Sequence, residues 1–444
     1  GLPVYPPPSA DFVALAYNPG LYLVTAPALK LWPGSLLLIR LPDFLASVVL
    51  ILLFGYLLHC LTRSWRWALV GALLPVLATR SFDCNLVTGH ADILVIAIAL
   101  VGALLMQGRR MPLSISDREL MAAVLLVSAF WFKQNAAIMA VGTAALFIRR
   151  DWRSAWRPVG TLVMFGPVAY GLAGPPFFGP DFLEATWRVP ASWTRWDYHL
   201  VIRYLGFVLN WWAVPCAVAV WAWLRAARQR RLLREPLIFL FPFALLSGVA
   251  GALDAGSSDN VFSLAGAWML VMLLQEVGPA LASAAAPRAR RLAICALGCT
   301  AVLLLHDFRD WDPPHGAPAA FADLERTLLT LDGPVYAPWL GNLPVARSTT
   351  ARAHWVALED RVRGSGTPGP RDPWVMRVLA PVATASAPAY LLTSSPLDSD
   401  YLLGWLGDTY ALERDYESRW AALRELPHRF GTRYPRYLYR RTSS

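Results

Sequence analysis

Between Leu120 and Ile148 the chain reads LMAAVLLVSAFWFKQNAAIMAVGTAALFI, and the single charge in that run is Lys133, near its middle. As one helix, at about 1.5 Å per residue, the run would exceed about 40 Å against a hydrocarbon core of roughly 30 Å. It would also hold an ammonium near the bilayer centre, at a cost of at least about 2.5 kcal/mol. Two short helices meeting at Lys133-Gln134 avoid both problems, because the tip then meets water or a protein-lined cavity. Which form is adopted sets the sidedness of everything downstream, and the arginines decide it.

The chain is 56% hydrophobic and 16% charged over 444 residues, with 20 Trp. Soluble domains carry roughly 25% charged residues, so this is a polytopic membrane protein with room for one water-facing domain. Runs of span length fall at about 43–61, 66–82, 90–106, 158–175, 200–224, 236–253, 261–277 and 292–306, besides 119–148. Alternate loops collect seventeen arginines, at 63 and 66, at 109, 110 and 118, at 149, 150, 153 and 157, at 225, 228, 230, 231 and 234, and at 288, 290 and 291. The opposite loops, 83–89, 176–199 and 254–260, carry only Arg188 and Arg195. The positive-inside rule makes the first set cytoplasmic, and the alternation survives only if 119–148 crosses an even number of times. A hairpin over 119–148, tipped by Lys133 on the outer side, satisfies the count. The net charge of +10 is therefore loop arginine and not a nucleic-acid face.

The outer loops gather Asp83, Asp181, Glu184, Asp197, His199, Asp254 and Asp259, with His90 and Asp92 at the outer mouth of a span. Ionisable groups at such positions mark functional sites by default. Asp83, His90 and Asp92 form a metal-ligand set too sparse to assign, and Cys60, Cys84, Cys216, Cys295 and Cys299 show neither metal nor disulfide spacing. Trp187, Trp193, Trp196, Trp211 and Trp212 read as an interfacial belt, with sugar-stacking platforms as the alternative.

The expected organisation has three parts. Residues 1–42, rich in Pro and aromatics, form an extracytoplasmic interfacial segment with a helix near Leu21–Leu31. Residues 43–306 form an all-α membrane domain of about ten helices, including the 119–148 hairpin. Residues 307–444 form a small extracytoplasmic α/β domain: helices near 319–331, 373–383 and 397–408 alternate with strands at 334–338 and 389–393, YALERDY and RYLYR. Such alternation predicts a largely parallel sheet.

Four stretches carry a resemblance: YNPGLYLVTAPALKLWPGSLLLIRLPDFLAS (17–47), TGHADILVIAIALVGALLM (88–106), FKQNAAIMAVGTAALFIRR (132–150) and DAGSSDNVFSLAGAWML (254–270). With the terminal α/β domain, they resemble the bacterial polyprenyl-phosphate-sugar-dependent glycosyltransferases of the GT-C class. Within it they resemble the branch of the aminoarabinose transferase of lipid A, the protein mannosyltransferases and the RgtA/B/C/D-like lipopolysaccharide enzymes. The likeness spans nearly the whole chain as loose patterns without an invariant signature. It implies a multi-pass enzyme of the cytoplasmic membrane moving a sugar from a polyprenyl-phosphate donor to an envelope glycan, lipid or protein outside.

That chemistry asks for a carboxylate base on the acceptor hydroxyl and for cations at the leaving phosphate. Lys133 is read as a donor-phosphate ligand or cavity cation, against a lysine snorkelling to the outer interface. Arg40, which resembles a recurrent family arginine, is read as a phosphate ligand, against a structural pair with Asp43. Tyr17, Tyr22, His90, Asp92 and Gln134 are cavity or substrate candidates by position, with helix capping as the alternative for Asp92 and Gln134. Asp259 and Asn260 resemble the family's late outer loop, with an ordinary polar turn as the alternative. The resemblance leaves a divalent metal ion open as a cofactor. The family's base is an Asp in the first outer loop, and no acidic pair precedes YPPPSADF here. The expectation is that this Asp and one span lie upstream of Gly1, so the catalytic residue is unassigned. Two other readings stand beside the enzyme: a non-catalytic scaffold with an outer binding domain, and a lipid or solute transporter, although no internal duplication of the transporter kind is visible.

Overall fold

A computed structural model of the chain describes residues 3–32, 36–82, 91–107, 114–195, 198–254, 259–306, 314–340, 352–365, 371–384, 387–424 and 434–442. It packs as two compact units. One comprises Tyr17–Gly174 and Thr194–His306; the other comprises Gly1–Ala16, Pro175–Trp193 and Asp307–Ser444. These boundaries differ from those of the apolar runs for identifiable reasons. Leu21 packs into an apolar cluster with Ala91, Val95, Ala129, Phe132 and Ala136, which draws the start of the chain's first helix into the helical unit. Tyr5 N–H donates to Phe178 O at 2.7 Å, and Arg361 forms a buried ion pair with Asp181, which ties 1–16 and 175–193 into the other unit.

The helical unit holds α1 (Gly20–Leu31), α2 (Leu36–Thr62), α3 (Trp65–Leu77), α4 (Asp92–Gln107), α5 (Ile115–Phe132), α6 (Ala137–Asp151) and α7 (Trp156–Val163). After α7 a π-helical stretch, Met164–Ala173, bends at Gly166-Pro167 and runs on into α8 (Gly174–Phe178), of which all but Gly174 belongs to the other unit. Following α9 (Val189–Ser192), which belongs to the other unit, come α10 (Tyr198–Arg228), α11 (Pro236–Ala252), α12 (Ser263–Ala282) and α13 (Pro287–Leu304). Among the described residues, four segments are long and apolar enough to cross a membrane: Leu37–Thr62, Trp156–Phe178, Tyr198–Arg228 and Asn260–Ala282.

The last of these is 89% buried, whereas the other three are between 22% and 33% buried, so α12 is the axis of the bundle and the others face outward. Its sequence, SLAGAWMLVMLLQEVGPALA, is apolar on every side up to Gln275 and Glu276, the pattern of a helix enclosed by others. It packs against α2, α4, α10, α11 and α13. On α2, by contrast, Phe44, Leu45, Val49, Leu52 and Tyr56 are exposed while Ala46, Leu50, Phe54 and Leu58 are buried. A bundle with apolar side chains on both its inner and outer faces has lipid as its solvent, and the chain is an integral membrane protein.

Side-chain bonds fix which helix ends lie together. Glu119 near the start of α5 pairs with Arg150 near the end of α6 at 3.3 Å, so α5 and α6 run antiparallel. Arg150 Nε also donates to Leu233 O, between α10 and α11, at 2.6 Å. Arg225 at the end of α10 pairs with Glu276 on α12 at 2.5 Å, and Gln275 donates to Gln107 at the end of α4 at 2.7 Å. One end of the bundle is thus held by arginine and glutamate. The starts of α4, α6 and α12 and the ends of α5 and α11 lie at the other.

Two members of the tryptophan set do not form a belt. Trp212 is fully buried against Gly266 of α12, and Trp193 Nε1 donates to Asp360 O at 2.8 Å. In both, the indole is needed for packing or a hydrogen bond inside the fold, which outweighs its preference for an interface. Trp196 lies outside the described residues.

In the other unit, α14 (Ala317–Thr330), α15 (Trp355–Val362), α16 (Pro373–Val378) and α17 (Ala421–Arg424) accompany β1 (Val335–Tyr336), β2 (Tyr390–Thr393), β3 (Tyr410–Asp415) and β4 (Tyr437–Arg441). The strand order is β1-β2-β4-β3. Only β1 and β2 pair in parallel; β4 is antiparallel to both β2 and β3. The largely parallel sheet expected from the sequence is therefore corrected. A parallel neighbour needs a crossover that packs on the sheet, and the 397–408 stretch supplies only two short 3-10 turns, Leu397–Ser399 and Gly404–Asp408. Leu391 and Tyr439 face a core shared with α15 and α16, while Leu392 and Leu438 face one shared with α14 and Trp420. β2 is buried at all four positions because both its faces are covered.

Candidate functional site

The site grows from the break between α5 and α6. Lys133 is extended (φ −148, ψ 131), its N–H closing α5 on Ala129 O, and Gln134–Ala136 form one 3-10 turn before α6. The turn carries the Lys133 ammonium to the first residue of α4. There Asp92 Oδ1 accepts from Lys133 Nζ, and Asp92 Oδ2 accepts from Asn260 Nδ2 at 3.1 Å. Asp92 is 5% exposed, Asn260 7%, and the Lys133 side chain 16%. A carboxylate this buried needs hydrogen-bonding and charged partners of this kind, and both of its oxygens have one.

Asp254, just beyond α11, is the second carboxylate at this end. Its Oδ1 accepts from Thr194 Oγ1 at 3.1 Å, and a backbone bridge between Thr194 and Asp254 holds the two segments together. Burial pushes the Asp254 carboxyl above its ordinary value of 3.8, while the Thr194 hydroxyl and the Lys133 charge pull it back in part. Ser247 Oγ, on α11, donates to Asn135 O at 3.1 Å and so fixes the hairpin tip to α11.

The segment leading into α1 is pinned to the same end. Asn18 Nδ2 donates to Phe130 O at 2.5 Å, and Tyr170 OH donates to Asn18 Oδ1 at 3.1 Å. Trp131 Nε1 donates to Phe165 O at 2.7 Å, locking the end of α5 to the π-helical stretch. Gly20 lies against Trp131 O, where a Cβ would stand at 2.7 Å, so a glycine is required at that approach.

Of the residues singled out from the sequence, Lys133, Asp92 and Asn260 are bonded into one group. Gln134 follows Lys133 and is half-buried, and Tyr17 and Tyr22 are half-buried beside Asn18 and on α1. Arg40 is exposed in the first turns of α2 and pairs with no carboxylate among the described residues. His90, like Asp83, lies outside the described residues, as does the side chain of Asp259. No three His, Cys, Asp or Glu side chains gather into a metal-ligand set among the described residues. In the sequence Asp254 is one loop acid among several, and nothing local marks Thr194, Asn18 or Tyr170, since partners 60 to 152 residues apart leave no local signal.

No protein-family model and no curated protein matches the chain. Solved structures do. The apo crystal structure of ArnT from Cupriavidus metallidurans matches with a TM-score of 0.50 at 14% identity, over 96% of this chain and 88% of that one. The same protein bound to undecaprenyl phosphate matches with a TM-score of 0.52 at 12% identity, over 97% and 89%. The oligosaccharyltransferase of Archaeoglobus fulgidus in the apo form is more distant, with a TM-score of 0.45 at 10% identity over 89% and 63%. The fold of this chain is that of ArnT.

Proposed function

We propose that this chain is a membrane glycosyltransferase that moves a sugar from a polyprenyl-phosphate donor to an envelope glycan, lipid or protein on the outer face of the cytoplasmic membrane. The Asp92–Lys133–Asn260 group at the hairpin tip carries this reading, and the shared fold with ArnT, a protein crystallised with undecaprenyl phosphate, supports it. An ammonium has three N–H donors. Asp92 engages one, and the others are available to a phosphate oxygen. Asp92 thereby holds Lys133 aimed while the phosphate comes and goes.

In this reading the acceptor oxygen bonds to the anomeric carbon of the sugar as the bond from that carbon to the phosphate oxygen breaks. The electron pair leaves with the polyprenyl phosphate, whose added charge Lys133 neutralises, with Arg40 as a second cation. The acceptor proton passes to Asp254, whose Oδ2 makes no hydrogen bond among the described residues. Burial makes Asp254 a stronger base than an ordinary carboxylate. Asn260 orients Asp92, and Tyr17, Tyr22 and Gln134, with His90 and Asp259 by position, are substrate contacts. The arginine-rich end of the bundle faces the cytoplasm and the sheet-bearing unit faces outward.

The test is transfer in vesicles holding the purified protein, radiolabelled polyprenyl-phosphate hexoses and pentoses, and envelope extract as acceptor. Label should move to the extract, and Lys133→Ala and Asp254→Asn should each slow it by about a hundredfold or more with normal insertion. Transfer at the native rate in both variants, or by none of the donors in the native protein, would overturn the reading.

A further inference from the structure

The sheet-bearing unit has a cleft of its own. Its cavity of about 420 Å³ is lined by residues that follow β1 (Trp339), β2 (Ser394, Ser399) and β3 (Glu417), by Arg424 of α17, and by Tyr434 ahead of β4. The first three strands share one direction, since β1 is parallel to β2 and both β2 and β3 are antiparallel to β4. The cleft therefore sits at the carboxyl edge of the sheet, where open α/β sheets bind ligands. Its size falls within the roughly 300–1,000 Å³ of small-molecule sites.

The frame of the cleft is rigid. Trp339 stacks on the buried Trp355 with ring centroids 4.4 Å apart, and Trp355 meets Tyr401 edge-on at 5.4 Å. Asp400 is saturated by the N–H groups of Leu402 and Leu403 and by the Ser395 hydroxyl. Arg436 is held by Asp415 and by Glu417, each at 2.7 Å. Two side chains on the lining are not committed: Ser394 and Arg424 make no side-chain hydrogen bond or ion pair among the described residues.

We propose that this cleft is a saccharide-binding site, taking one or two sugar units on the half-buried Trp339 ring with Ser394 and Arg424 bonding to ring hydroxyls. The chemistry selects that class. A sugar offers C–H edges to an aromatic face and hydroxyls to short polar side chains. A site for a free anion would carry surplus positive charge, whereas here Asp400 and Glu417 balance Arg424 and Arg436. The proposal does not depend on the transferase reading, because the cleft binds sugar whether or not the helical unit catalyses transfer.

The experiment uses the full chain in detergent, with intrinsic tryptophan fluorescence and saturation-transfer NMR. The probes are the mono- and disaccharides of glucose, galactose, mannose and galacturonic acid, with inorganic phosphate alone as the competing arm. At least one sugar should bind with a Kd at or below about 10 mM, worth about 3 kcal/mol. Binding should weaken at least tenfold in Trp339→Ala and in the exposed-site variant Arg424→Ala, and persist in Lys133→Ala. Three results would overturn the proposal: no sugar binding in the panel, sugar binding unchanged in Arg424→Ala, or inorganic phosphate displacing the sugar through Arg424.

Discussion

A nearly buried ammonium needs a partner that stands in for water, and at Lys133 that role falls to Asp92. Removing one member leaves the other uncompensated. Asp92→Ala should therefore cost about 3–5 kcal/mol, read as thermal unfolding in detergent, while an Asp92→Leu/Lys133→Met double variant should recover most of that loss without recovering transfer. A double variant as unstable as Asp92→Ala would mean that the pair is not the source of the cost. The second carboxylate sets a pH dependence. Because burial raises the Asp254 carboxyl above 3.8, a base at that position is lost by protonation as pH falls through a value above the ordinary one. Thr194 bonds to the ionised form, so Thr194→Val should move the acid limb of the transfer rate to higher pH. An acid limb that stays in place would assign the base to another group.

The helices are set by two kinds of local rule. Lys133 breaks its run because one charge in an apolar stretch cannot be left in hydrocarbon, and that much is readable from the order of residues. The close approach of α10 and α12 is not. It depends on Gly266, where a Cβ would stand 2.5 Å from the Trp212 ring. Gly266→Ala should cost about 1–3 kcal/mol by overpacking, and a paired Trp212→Phe change should return part of it in the same melting experiment. The sheet shows the converse. Strand positions followed from apolar runs flanked by turn residues, but their pairing did not, since RYLYR contains nothing that says it lies between β2 and β3.

At the scale of the molecule, the two units meet different demands. The helical unit offers apolar surface outward and forms the ion pairs of Lys133, Arg150 and Arg225 at its ends, whereas the sheet-bearing unit has cores on both faces of a four-stranded sheet. Within the latter, Asp360 on α15 is 3% exposed and lies 3.2 Å from Arg363. Burial raises its carboxyl to about 7 even with the arginine opposing. The folded state then binds a proton more tightly than the unfolded chain, so the contribution to stability is full below pH about 4 and is lost as pH rises through about 7. Hydrogen exchange at β2 and α15, corrected for intrinsic rates, should show protection falling as pH rises from 6 to about 8. Asp360→Asn should flatten that dependence; an unchanged slope would show that another group sets it.

The order of residues was enough to show an integral membrane protein with alternating basic loops, a helix break at Lys133 and a mixed C-terminal segment. Those features follow from hydropathy, charge and turn chemistry, which act over a few residues at a time. The partners of Lys133 were not available in the same way. Asp92 is 41 residues before it, and Asn260 is 168 residues beyond Asp92. Any of the loop acids was an equal candidate until the bundle closed. Only the packing of α4, α5, α11 and α12 around one end selects Asp92 to hold the ammonium and brings Asp254 under its charge, because hydrogen bonds and ion pairs reach a few ångströms and no chain pattern encodes which distant residues will come that close.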